Sequence, residues 1–193
     1  AAGARDPQTP EGSVLRFTPE GKIPDDNPFE GSPVFAYGMS SPYGLAFHSE
    51  TGNLYATDNG PRCCDRFLLI KPGKSHSWPD YGSSPDELAL AKADPSVVAP
   101  LFDSGAEVFA PTQLITYDDG GYGGAYKGSL FFGTFANGDV CRVVLNDDDS
   151  DVISKEIVLQ FEVPEPIVSM TATPDGFIYY GTDRNIYRIR NLN

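Results

Sequence analysis

Two stretches of this chain follow one plan. GLAFHSETGNLYATDNGP (44–61) and SMTATPDGFIYYGTDRNIYRI (169–189) each run as a strand, a turn ending in Gly, and an aromatic-bearing strand ending in Thr-Asp. The stretch QLITYDD…GSLFFGTFANGDVCRVVL fits the same plan with a longer first turn. Self-similar units of four short strands, recurring at about 40–50 residues, are the signature of propeller blades. One such unit cannot bury its own faces and must stack on a neighbour. The chain therefore reads as all-β, a β-propeller of about three four-stranded blades. Propellers close with about four to eight blades, so a second copy, another chain or an upstream N-terminal half is expected to complete the ring.

The rest of the chain agrees. Gly 20 and Pro 17 punctuate it throughout, and β-prone runs lie between them: 13–18, 43–48, 53–58, 66–71, 113–118, 129–135, 139–145, 156–161, 167–172, 177–182 and 185–190. SPDELALAKA (84–93) alone reads as a helix, with Ser84 as cap and Glu87 three residues on. Residues 1–193 are taken as a single partial propeller domain, with approximate blades at 12–72, 100–146 and 152–193 and an insertion loop at 73–99.

A formal net charge of -13 disfavours nucleic acid and anionic membranes, which would repel the chain at long range, and favours bound cations. No run reaches the roughly 18 apolar residues of a membrane span. The opening AAGARDPQTPEG has no initiator Met and no apolar leader core. It reads as a processed N-terminus or a segment of something longer, and the expected location is secreted, periplasmic or cell-surface.

Five segments together carry a resemblance: GSVLRFTPEGKIPDDNPF, VFAYGMSSPYGLAFHSETGNLYATDNGP, LLIKPGKSHSWP, YKGSLFFGTFANGDVCRVVL and TPDGFIYYGTDRNIYRI. Their order and spacing resemble the C-terminal half of the soluble glucose/sorbosone dehydrogenase family. The resemblance implies a six-bladed propeller and, for active members, sugar oxidation by pyrroloquinoline quinone held by calcium. It implies main-chain calcium ligands at Gly60 and Pro61, a pairing that suits a hard cation. A second, structural calcium of the family would use Asp65, but Arg66 stands where another acid is expected.

The quinone carries three carboxylates, so its pocket should supply Arg and Lys. At the matching positions this chain has Ser40, Ser41 and Tyr43, then Ala136, then Pro166 and Val168. Each basic ligand that can be placed is replaced by a neutral residue. The resemblance also puts the family's catalytic histidine upstream of this chain, so no catalytic residue is assigned. Calcium remains a candidate ligand, whereas pyrroloquinoline quinone is not expected on this chain alone.

His48 reads as a surface or turn residue, and His76 as a packing residue near Trp78. Asn146–Asp151 reads as an acidic hairpin turn, since it lacks the glycine and glutamate of a calcium loop. Cys63 and Cys64 leave three readings: a bridge between neighbours, two free thiols, or one bridge to a partner such as Cys141. Cys141 itself reads as a buried small hydrophobe. Carbohydrate is a candidate partner through the aromatic loops at Tyr81, Tyr122 and Tyr126. The functional expectation is a non-catalytic binding or structural module of a larger assembly. The competing reading is one part of an active quinone- and calcium-dependent aldose or sorbosone oxidoreductase.

Overall fold

The structure, a computed structural model, describes residues 3–148, 150–160 and 163–190. Its strands are β1 (Val14–Leu15), β2 (Val34–Ala36), β3 (Pro42–Phe47), β4 (Leu54–Asp58), β5 (Arg66–Leu69), β6 (Phe102–Asp103), β7 (Pro111–Tyr117), β8 (Ser129–Thr134), β9 (Val140–Leu145), β10 (Val152–Leu159), β11 (Ile167–Ala172), β12 (Ile178–Thr182) and β13 (Ile186–Arg188). The α-helix among the described residues, α1 (Pro85–Ala93), joins β5 to β6. Two sheets have four strands, β3-β4-β5-β6 and β7-β8-β9-β10; β11-β12-β13 has three, and β1-β2 is a separate pair. Strand order in each sheet follows chain order, which is the meander of a propeller blade. The fold is a β-propeller in part.

Three details differ from the sequence reading. Strands β2 and β6, of three and two residues, fall outside the β-prone runs, being too short to stand out as one. Val152–Leu159 does not open a third blade but closes the second, pairing with β9 from Val152↔Leu145 onward. The cause is the turn 146–151, where Asn146 N–H donates to Asp151 O at 3.0 Å and the Asn146 side-chain oxygen accepts from the Ser150 and Asp151 N–H groups. That turn is tight enough to fold the chain straight back; Asp149 lies outside the described residues. Finally, the insertion 73–99 falls between paired strands β5 and β6 rather than between blades.

The helix forms where its cap signals stand. Ser84 Oγ accepts from Glu87 N–H at 3.3 Å, and the Glu87 carboxylate reaches back to Ser83 N–H at 2.8 Å. The first bond satisfies an amide that the first turn leaves without a helical partner, and the second fixes the residue before the cap. Among the described residues no helix is long and apolar enough to cross a membrane.

The chain divides into two compact units, one of residues 1–42 and 58–107, the other of 43–57 and 108–193. In the first, Val34, Ala36, Met39, Phe67, Leu68, Leu69, Ile70, Leu88 and Ala91 are buried. In the second, Tyr117, Phe131, Val140, Ile167, Met170, Ile178 and Tyr180 form the core. There the strands approach closely. A Cβ at Gly44 would lie 2.4 Å from Leu114 N, and one at Gly133 would lie 2.3 Å from Ile167 Cγ2, so neither position admits a side chain.

Two tyrosines tie the second core together. Tyr117 hydroxyl donates to Gly176 O at 2.7 Å. Tyr122 hydroxyl donates to Ile189 O at 2.8 Å and accepts from Ile178 N–H at 3.0 Å.

Candidate functional site

The segment TDNGPRCCDRF joins β4 to β5, and opposite charges stand at its two ends. Asp58 closes β4 and Arg66 opens β5; both are buried, and the Arg66 guanidinium donates to Asp58 Oδ2. Arg66 also donates to His76 O at 3.0 Å and to Ser77 Oγ at 3.1 Å. Asp58 in turn accepts the Ser40 N–H at 3.1 Å and the Ser41 N–H at 2.6 Å through Oδ1. Burial pushes the Asp58 carboxyl above its ordinary range, while Arg66 and the two amides pull the other way. A charge so enclosed persists only because its partner and its hydrogen bonds are both in place.

Within this frame the turn is held on one side only. Gly60 N–H donates to Asp65 Oδ1 at 3.0 Å. Asp65 N–H donates to Ser104 Oγ at 3.0 Å, and Cys64 N–H to Gly105 O at 3.0 Å. By contrast, no described group donates to the carbonyls of Gly60 or Pro61. Asn59 Oδ1, a buried atom, also has no hydrogen-bond partner. A Cβ at Gly60 would sit 1.8 Å from Cys63 O, so only glycine fits there. Two uncommitted carbonyls beside an orphaned amide oxygen form a donor set of neutral oxygens, the type a hard cation takes. The residues present therefore fit a calcium ion supported by main-chain oxygens. Among the described residues no cluster of three or more His, Cys, Asp or Glu side chains is placed to hold a metal.

Of the three readings for the cysteines, the structure selects the bridge between neighbours. Cys63 and Cys64 form a disulfide with Cα atoms 3.7 Å apart. Cys64 takes a left-handed backbone, φ 69°. Cys141 is a free, buried thiol, and burial pushes it up to about 12.

The remaining sequence-singled residues are placed as follows. In the first unit, Ser40 and Ser41 offer their backbone amides to Asp58. In the second, Tyr43 is half-exposed and its hydroxyl donates to Val168 O at 3.4 Å; this brings together two positions that the resemblance assigns to the cofactor pocket. Ala136 is exposed, its N–H bound to Phe109 O at 3.2 Å.

His48 stands at the expected turn but is buried rather than on the surface, with Nδ1 3.1 Å from Thr51 Oγ1 and Nε2 3.2 Å from Gly128 O. His76 is fully buried, and burial, with Arg66 adding to it, lowers its pKa to about 3. It is a neutral imidazole at any ordinary pH. The tyrosines proposed for carbohydrate contact are engaged internally: Tyr81 with Asp94, Tyr122 with Ile189 and Ile178, and Tyr126 against Tyr122, Phe131 and the Arg142 guanidinium.

What the sequence reading missed is the Asp58–Arg66 pair. Arg66 was read as the loss of an acidic metal ligand, whereas it is the counter-ion of Asp58. The available signal was an acid ending one strand and a base opening the next across a short connection.

A propeller of chain-ordered four-stranded sheets with a carbonyl-lined turn defines the class, and the comparisons give the family. The model of the family described as Glucose / Sorbosone dehydrogenase matches residues 1–190, and the chain belongs to that family. It is 26% identical over 196 residues to the aldose sugar dehydrogenase YliI of Escherichia coli strain K12, covering 94% of this chain and 51% of the relative. It is 37% identical over 98 residues to quinoprotein glucose dehydrogenase B of Acinetobacter calcoaceticus, covering 49% of this chain and 20% of the relative. A solved glucose dehydrogenase superposes with a TM-score of 0.84 at 26% identity, covering 97% of this chain and 56% of that one. The chain thus spans about half the length of the relatives it matches from end to end.

Proposed function

We propose that this chain is a sugar-dehydrogenase-like propeller module that serves binding or structure in a larger, exported assembly and is not a catalyst by itself. The observation that carries this reading is the enclosure of Arg66. The terminal nitrogens of Arg66, next to the turn, are taken by Asp58, His76 O and Ser77 and its side chain is buried, and Ser40, Ser41, Tyr43 and Ala136 bring no positive charge to the positions where the resemblance expects it. An anionic quinone would therefore meet a chain of net charge -13 without a basic residue at the positions where the resemblance expects its ligands. The module keeps a cation turn, with Gly60 and Pro61 as main-chain ligands and Asp65 fixing the turn through Gly60 N–H.

Completion by more chain, from a second copy or another polypeptide, is supported by exposed apolar side chains on sheet strands: Phe47 on β3 at 67%, Ile153 on β10 at 66% and Ile186 on β13 at 83%. Reconstitution with calcium and pyrroloquinoline quinone, followed by dye reduction with aldoses, tests the catalytic part. No turnover and no micromolar quinone binding is the expected result. Turnover would establish the alternative, a working aldose or sorbosone oxidoreductase. Light scattering on a size-exclusion column tests the assembly part, and a well-folded strict monomer would refute it.

A further inference from the structure

We infer that the Cys63–Cys64 disulfide is a thiol–disulfide exchange site whose opening by a dithiol unlocks the Gly60–Asp65 turn. The turn has two halves of different character. Cys64 and Asp65 are anchored through their amides to Gly105 O and Ser104 Oγ. Pro61 and Arg62 are exposed, Cys63 is half-exposed, and none of the three makes a backbone hydrogen bond that would hold it. The disulfide closes a small ring over the peptide bond that joins the loose half to the anchored half, and so limits rotation at that junction. It also holds Cys64 in the left-handed region, φ 69°, a conformation disfavoured for a residue with a Cβ. Once the ring opens, the one other described contact of Cys63 is that of its Sγ with Ser83 O at 3.7 Å, a weak hold on a residue whose carbonyl lies within 1.8 Å of where a Gly60 Cβ would be.

The two sulfurs are unequally accessible. Cys64 is fully buried and Cys63 half-exposed, so an incoming thiolate attacks Cys63 Sγ. The Cys63–Cys64 bond breaks, its electron pair goes to Cys64 Sγ, and that sulfur takes up a proton. The second thiol of the reductant then attacks its own sulfur in the mixed disulfide and releases Cys63 as a thiol. The protein gains two electrons and two protons, and the dithiol leaves as a cyclic disulfide. Reduction frees the carbonyls of Gly60 and Pro61 from their fixed relation, and so weakens cation binding at the turn. This last consequence rests on the cation turn proposed above; the unlocking itself does not.

The test compares the intact protein, oxidised or reduced with dithiothreitol, under limited trypsin digestion and terbium(III) titration, with a separate alkylated sample used only to count the free thiols. Mass spectrometry follows the new N-terminus at Cys63, and circular dichroism confirms that the fold persists. The expected result is several-fold faster cleavage after Arg62 on reduction and a several-fold weaker terbium affinity, both reversed by oxidised glutathione. The double variant Cys63→Ser/Cys64→Ser should behave as the reduced protein does. Faster cleavage with terbium bound in neither state supports the exchange site and refutes the cation turn. Unchanged cleavage in fully reduced protein, or a bond that yields only when the whole fold melts, overturns the inference.

Discussion

Replacing Asp58 by Asn removes one charge and almost no volume, and so isolates the buried ion pair. In the native fold Asp58 and Arg66 are both essentially inaccessible, and a guanidinium cannot shed its proton. In Asp58→Asn the Arg66 charge therefore stays buried with only His76 O and Ser77 Oγ as partners. The amide also offers one acceptor where the carboxylate offered two, so Ser40 N–H, Ser41 N–H and Arg66 compete for it. Leaving an uncompensated buried charge costs about 3–5 kcal/mol, which for a chain of this size lowers Tm by about 6–20 °C.

Arg66→Met, the opposite truncation, should cost less, because Asp58 can take a proton where Arg66 cannot lose one. Asp58→Asn combined with Arg66→Met should recover a large part of the loss. Urea titration at neutral pH, followed by circular dichroism on the four proteins of the cycle, measures the coupling. If Arg66→Met costs as much as Asp58→Asn, or if either costs under about 1 kcal/mol, the pair is not the internal brace described.

Three further outcomes follow from the geometry. His76 is neutral in the fold, with a pKa of about 3 against 6.5 for the free group. The unfolded chain therefore binds the extra proton, and stability falls as pH drops below about 6.5. The His76 share of that loss is about 2 kcal/mol at pH 5, and His76→Gln should flatten the midpoint-versus-pH curve between pH 7 and 5. Tyr122→Phe deletes a hydroxyl that both donates to Ile189 O and accepts from Ile178 N–H; a loss of about 1–3 kcal/mol is expected by denaturant titration, and no change would refute the structural assignment. Gly60→Ala cannot be housed beside Cys63 O and should abolish terbium binding in isothermal titration.

Much of the fold was legible because it lies in local pattern. Glu-Thr-Gly and Pro-Asp-Gly turns between aromatic strands marked the repeat, and Ser84 with Glu87 marked the helix. Strand membership was less legible. VISKEIVL looks like a beginning, and only the internal bonding of the 146–151 turn makes it the outer strand of the preceding sheet. At the site, the Gly60-Pro61 turn could be placed by order and spacing, since a glycine with no room for a Cβ leaves a backbone signature. The meaning of Arg66 was legible only by pairing it across the short connection with Asp58, the acid that ends the preceding strand. His48 stands at the turn it was read into, but its burial could not be seen, since it packs beside Gly128 O, eighty residues further along.

The carboxylate of Asp58 grips the amides of Ser40 and Ser41 as well as the guanidinium. This has a consequence for how the molecule breathes. Ser41 is an exposed residue in a short connection, the type of position whose amide ordinarily exchanges with solvent by fraying. Here its proton is released only when the ion pair itself comes apart, so the 40–41 connection and the β4–β5 turn form one cooperative opening unit. In deuterium exchange those two surface amides should report the free energy of an interior event.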